Sequence, residues 1–195
     1  MHGSAVVDWL LTGLMGATGF YCLARLLRPG AAPAERRLDA SEALKGLGMA
    51  AMALPYGPTR GTPVWLWAVL FGGAAAWSLA EGLRPGHRGH HLYHAVGHLA
   101  MVYMAVVAAS SMPGMAGMAA GPSSAGSPLL TGTLLLFFGG YSLVSGVRLV
   151  GGGLGAGAGP VRGGSVAGRL LAAPELPNAC RTVLGIGMFA MLLSM

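Results

Sequence analysis

His91-Leu-Tyr-His94-Ala-Val-Gly-His98-Leu-Ala-Met101-Val-Tyr-Met104 is the stretch that decides how this chain folds. It opens an apolar segment long enough to cross a bilayer, which takes about 20 residues. The three histidines and Met101 recur at i, i+3, i+7 and i+10, so a helix carries them on one face with Met104 at its edge. Because ionisable side chains are costly in hydrocarbon, this face predicts a functional site.

The composition indicates that the bilayer is the solvent. Only 9% of the 195 residues are charged and 54% are hydrophobic, whereas a soluble domain carries about 25% charged residues. The length allows about six spans of about 20 residues with short loops, so we predict one integral membrane domain over residues 1–195. The twelve Lys and Arg residues are scattered and form no basic stripe, which argues against nucleic acid as a partner.

Six apolar segments predict an all-α, polytopic helix bundle. The second is short and carries Glu42 and Lys45, so by itself it also fits an interfacial helix. The first is too long for a signal peptide and ends in Arg25 and Arg28, so we expect it to remain as a span. The segments are Val6–Leu27, Ala40–Leu54, Val64–Leu83, His91–Met112, Leu129–Val150 and Asn178–Met195.

Arginine placement predicts the orientation. If all six segments cross, nine loop arginines fall on one side and only Arg60 on the other. The positive-inside rule then places both termini outside, in the cytoplasmic membrane. A glycine-rich linker over about 151–168 is expected to be cytoplasmic. The nine arginines are Arg25, Arg28, Arg36, Arg37, Arg84, Arg88, Arg148, Arg162 and Arg169.

Small and sulfur-containing residues give two further expectations. Glycines allow helix backbones to approach closely, and Cys22 and Cys180 are expected near cytoplasmic helix ends as reduced thiols. The glycines concerned are Gly46, Gly48, Gly72, Gly73, Gly139, Gly140, Gly185 and Gly187.

Methionines and histidines together suggest a copper site. Thioethers select Cu(I) and imidazoles also bind copper, so we predict a column of ligands if the second, fourth and sixth helices are neighbours. An uncharged outer loop with Met112, Met115 and Met118 would lie above it. The predicted metal ligands are His91, His94, His98, Met49, Met52, Met101, Met104, Met188 and Met191.

Three alternatives stay open at this point. The histidine face also suits a proton relay, and His94 or His98 also suits an axial haem ligand with a methionine opposite. Alternatively the methionines pack the core and the chain is a non-catalytic scaffold, a partner subunit or a homo-oligomer. No nucleotide loop, nucleophile elbow or zinc-protease helix occurs, so we assign no catalytic residue.

The few other charged residues in the segments have several possible partners. Glu42 and Lys45 lie three apart and can neutralise each other; alternatively Glu42 pairs with His94 or His98. Asp39, Glu81 and Glu175 are predicted to form ion pairs at headgroup level.

Three blocks resemble a family of actinobacterial integral membrane proteins. They are EALKGLGMAAMALP at 42–55, HHLYHAVGHLAMVYM at 90–104 and PELPNACRTVLGIGMFAMLLSM at 174–195. The family is defined as a domain of unknown function and is common in Streptomyces. The resemblance implies several membrane helices in a cytoplasmic membrane, and no established activity.

Overall fold

The computed structural model describes residues 5–28, 32–54, 62–83, 88–110, 126–153 and 176–194. Within these ranges the chain forms six α-helices and no β-strands, which confirms the predicted all-α fold. The helices are α1 (Ala5–Leu26), α2 (Pro33–Ala53), α3 (Val64–Gly82), α4 (Arg88–Ser110), α5 (Pro128–Gly153) and α6 (Leu176–Leu193).

Proline marks where several helices begin. α2 starts at Pro33 and α5 at Pro128, and Pro63 directly precedes α3. Proline suits the first turn because its fixed φ is helical and its missing N–H has no helical partner there.

Two of the differences between predicted and observed helix boundaries have a clear cause or consequence. α2 begins at Pro33 rather than Ala40, because the polar residues before Ala40 are themselves good helix formers. α5 continues to Gly153, so the glycine-rich segment predicted from 151 begins inside a helix. The remainder of that segment and the methionines of the outer loop lie outside the described residues.

Five of the described helices are long and apolar enough to cross a membrane: α1, α3, α4, α5 and α6. Their outward faces are apolar, with Trp9, Phe20 and Leu136 at least half exposed, as expected for side chains that contact lipid. The chain is therefore a multi-pass membrane protein. α2 is too polar to count among the five.

The helices pack as three consecutive pairs, α1 with α2, α3 with α4, and α5 with α6. α2 also contacts α4 and α6, so the neighbourhood predicted for the second, fourth and sixth helices is confirmed. α4 and α6 bury the largest shares of their residues among the five apolar helices. The polar α2 therefore lies against the best-buried part of the bundle.

Glycine allows a close contact between the backbones of two helices. A Cβ atom on Gly46 of α2 would lie 2.8 Å from Cα of Gly19 on α1. The predicted close approach is confirmed at Gly46. It is wrong for Gly72, Gly73 and Gly140, because a Cβ atom there would meet none of the described residues within 4 Å.

The main hydrophobic core is rich in methionine and aromatic residues. Phe71 and Phe138 are fully buried there, beside Leu184 and Leu192. The methionines in this core are Met15, Met49, Met101, Met104 and Met188, with Met52 and Met191 partly buried against it.

Candidate functional site

α2 directs three charged side chains into the bundle. Asp39, Glu42 and Lys45 are each less than 5% exposed. They are spaced three apart, so they lie along one side of the helix. A charged group removed from water is strongly unfavourable unless it is paired, so the partners of these residues define the site.

Arginines from neighbouring helices pair with the two carboxylates. Arg181 of α6 places its Nε 2.5 Å from Oε1 of Glu42, and Nε of Arg25 on α1 lies 3.5 Å from Oδ2 of Asp39. The predicted partners of Glu42, either Lys45 or a histidine, are wrong. The guanidinium of Arg181, on α6, lies against the Glu42 carboxylate, so each charge has an opposite charge beside it.

Asp39 and Glu81 form ion pairs as predicted, although Asp39 is buried rather than at the surface. Glu81 of α3 binds Arg37 of α2 at 3.1 Å, and the Arg37 side chain is 51% exposed. This pair therefore lies at the rim of the polar region.

Lys45 is bonded to a histidine instead of a carboxylate. Its Nζ lies 2.8 Å from Nδ1 of His94 and 4.9 Å from the centroid of the Tyr93 ring. No carboxylate in the described part of the chain forms an ion pair with Lys45. The amine is therefore stabilised by an imidazole nitrogen and an aromatic face.

Ser41 connects the two buried histidines. Its Oγ lies 3.2 Å from Nδ1 of His94 and 2.9 Å from Nε2 of His98. Lys45 and Ser41 thus share Nδ1 of His94, and Ser41 joins it to His98; these four residues are called here the polar chain. The sequence predicted the two histidines; it gave no signal for Ser41.

The far end of the polar chain enters an apolar environment. The His98 ring stacks on Phe71 with 6.0 Å between centroids. Nδ1 of His98 is buried and has no hydrogen-bond partner among the described residues. Beyond it, Met101 is fully buried in the core.

A cleft of about 240 Å³ opens beside the polar chain between α2, α3 and α4. His91, His94 and His98 all line it, which confirms that these histidines share one face of the helix. The same cleft extends to Arg37 and Glu81 at the rim.

The predicted methionine ligands are brought together, but in the core. Four of the predicted methionine ligands are buried, and they come from α2, α4 and α6, as the copper hypothesis required: Met49, Met101, Met104 and Met188. The described residues contain no group of three or more His, Cys, Asp and Glu side chains arranged to hold a metal ion. The proposed copper and haem roles therefore stay predictions.

The cysteines form a contact that the sequence did not predict. Cys22 of α1 and Cys180 of α6 are buried, have free thiols as expected, and pack together with Ala43 in a small cluster separate from the main core. Only the packing of α1 against α6 reveals this pair.

The fold and site together define a multi-pass α-helical membrane protein with a buried centre of paired charges and histidines. The family described as a domain of unknown function (DUF5134) matches residues 34–195, and the chain belongs to that family. No curated protein and no solved structure matches the chain significantly.

Proposed function

We propose that this protein takes up and releases a proton at the polar chain, within a cytoplasmic membrane. The observation that supports this most directly is the hydrogen-bonded group in which Lys45 and Ser41 share Nδ1 of His94 and Ser41 also contacts Nε2 of His98. Each member can donate or accept a proton, and imidazole changes its charge near neutral pH.

The Lys45 and His94 pair suits the exchange of a single proton. At 2.8 Å between nitrogens, one proton is held between an amine and an imidazole, and a second positive charge there would be repelled. Since Glu42 is already neutralised by Arg181, the pair titrates beside a balanced ion pair. The net charge of the Lys45 and His94 pair therefore changes with pH.

The cleft provides access to this pair from one end. Arg37, Glu81 and His91 line its outer part, whereas Phe71 and Met101 close the opposite end of the polar chain. A dry apolar layer does not conduct protons. We therefore propose one-sided proton binding, as in a sensor or in the coupling site of a larger assembly, rather than passage across the membrane.

The test is a proton count on the purified protein in lipid nanodiscs. Between about pH 8 and pH 5, where imidazoles titrate, the wild type should take up one proton more per chain than the double variant Lys45→Met/His94→Leu. Arg148→Gln, an exposed position on α5 outside the cleft lining, is the control and should match the wild type. Equal uptake by the wild type and the double variant would overturn the proposal.

A second variant keeps the test valid if the double variant does not fold. Ser41→Ala removes only one hydroxyl, so the packing is retained. In ¹⁵N spectra of the labelled histidines, we expect the tautomer signal of His98 to change, because Ser41 is its hydrogen-bond partner. An unchanged His98 signal would show that the polar chain is not formed.

Cu(I) binding is a second candidate, supported by one observation. Met49, Met101, Met104 and Met188 meet in one buried cluster, and thioethers are soft ligands. Lys45 already occupies Nδ1 of His94 and its ammonium opposes a nearby cation. The sulfur atoms would therefore carry the binding, with His98 closest among the imidazoles.

Elemental analysis decides the copper candidate. Met101→Leu/Met188→Leu preserves side-chain volume and should cost less than about 1.5 kcal/mol per site. If the methionines bind Cu(I), protein from copper-supplemented cells contains near-stoichiometric copper that this variant loses, while Met15→Leu retains it. A metal-free wild type would reject this candidate without affecting the proton count.

A further inference from the structure

The only two cysteines of the chain face each other across two helices that are far apart in sequence. Cys22 is 1% exposed and Cys180 is 8% exposed. Both side chains pack in one small buried cluster. Cysteine often acts as a small hydrophobic residue, but that role does not require the two cysteines of the chain to pack together.

A carboxylate lies next to this pair. The Cys22 thiol donates to Oε2 of Glu42, with 3.8 Å between the heavy atoms, while Oε1 of the same carboxylate binds Arg181. Arg181 directly follows Cys180 in the chain. Cys22 therefore has a carboxylate in contact with it that can accept its proton, and Arg181 holds the other oxygen of that carboxylate in place.

We infer that Cys22 and Cys180 form a redox pair that closes to an intramolecular disulfide. The fitting oxidant is a peroxide, because a small uncharged molecule can reach buried thiols whereas a bulky disulfide such as glutathione cannot. This inference is independent of the proton-binding function.

The reaction balances in two steps. Glu42 accepts the proton of the Cys22 thiol, and the resulting thiolate attacks one oxygen of the peroxide, forming a sulfenic acid and releasing hydroxide or alkoxide, which takes up a proton. The Cys180 thiol then attacks the sulfenic sulfur, forming the S–S bond and releasing water. Two thiols are oxidised and one peroxide is reduced.

The disulfide would join α1 to α6 covalently. Both helices contact α2, and Glu42 lies one turn from Lys45 on α2. Oxidation would therefore fix the helices that flank the polar chain.

Intact mass spectrometry of the protein in nanodiscs, under non-reducing denaturing conditions, tests the inference. After hydrogen peroxide treatment, the wild type should lose two hydrogen atoms and both titratable thiols, and dithiothreitol should restore them. Cys22→Ser and Cys180→Ser should instead gain oxygen on the remaining cysteine. Wild-type protein that gains only oxygen, or that forms disulfide-linked dimers, would overturn the inference.

Glu42→Met/Arg181→Met tests the role assigned to the carboxylate, because removing both partners leaves no uncompensated charge beside the cysteines. Loss of a general base should slow disulfide formation by about 100-fold or more. Arg37→Gln, which leaves the cysteine region intact, should oxidise at the wild-type rate. An unchanged rate in the double variant would remove Glu42 from the mechanism, whereas the redox pair itself is decided by the wild-type mass.

Discussion

Nζ of Lys45 lies 2.8 Å from Nδ1 of His94 inside a helix bundle whose outer surface is apolar. A buried amine bonded to an imidazole contributes little to folding, because desolvation opposes the gain from the hydrogen bond. The pair is therefore better explained by function than by stability, and stability measurements can separate the two.

Lys45→Met should be at least as stable as the wild type. Methionine retains most of the lysine volume and removes the desolvation cost of the charge. Lys45→Ala leaves a cavity and should be about 2–4 kcal/mol less stable than Lys45→Met. Unfolding in mixed micelles by increasing SDS measures both variants; a Lys45→Met variant that is less stable than the wild type would show that the charge itself holds the fold.

Removing one partner of the Glu42 and Arg181 pair should be strongly destabilising. Glu42 is 1% exposed, so Glu42→Gln leaves Arg181 uncompensated, at a cost of about 3–5 kcal/mol in the free energy of unfolding. The double variant Glu42→Met/Arg181→Met should recover most of this loss. The same SDS titration measures the free energy of unfolding of the wild type and both variants. A double variant as unstable as Glu42→Gln would show that Glu42 and Arg181 do not stabilise the fold as a pair.

The rim pair is the matched control for that experiment. Arg37 is half exposed, and its pair with Glu81 is screened by solvent. Arg37→Gln should therefore cost at most about 1 kcal/mol. A larger loss would indicate that this end of the bundle lies in the hydrocarbon.

Gly46→Ala should weaken the packing of α1 on α2. The added Cβ would lie 2.8 Å from the backbone of Gly19, so the helices must separate, at a cost of about 1–3 kcal/mol. Gly72→Ala is the control, since its Cβ meets nothing within 4 Å. It should be neutral or slightly stabilising because alanine favours helices. Equal effects at both positions would contradict the close contact.

The arginine distribution predicts that both termini lie outside the cytoplasm. A carboxy-terminal alkaline phosphatase fusion should therefore be active, and a fusion truncated after Arg88 should be inactive. The reverse pattern would invert the orientation. A third fusion truncated after Arg28 tests α2: it should be inactive like the Arg88 fusion if α2 crosses, and activity in only one of these two fusions would show that α2 does not cross.

Much of the fold could be predicted from local sequence. The apolar segments of α1, α3, α4, α5 and α6 were found because hydrophobicity and span length are local properties. The shared face of His91, His94 and His98 follows from helical periodicity alone. The limits of α2 were less predictable, because its first residues are polar and read as a loop.

The sequence by itself determined the class of protein, the six helices that the described residues form and the histidine face. Only the tertiary structure decided which residues meet in the buried centre. Glu42 pairs with Arg181 there, and Cys22 packs with Cys180. Lys45 and Ser41 share Nδ1 of His94. Helical periodicity fixes which residues share a face. It does not fix which helix that face contacts, because this depends on the packing of all six helices, down to the glycine contact that brings α1 against α2.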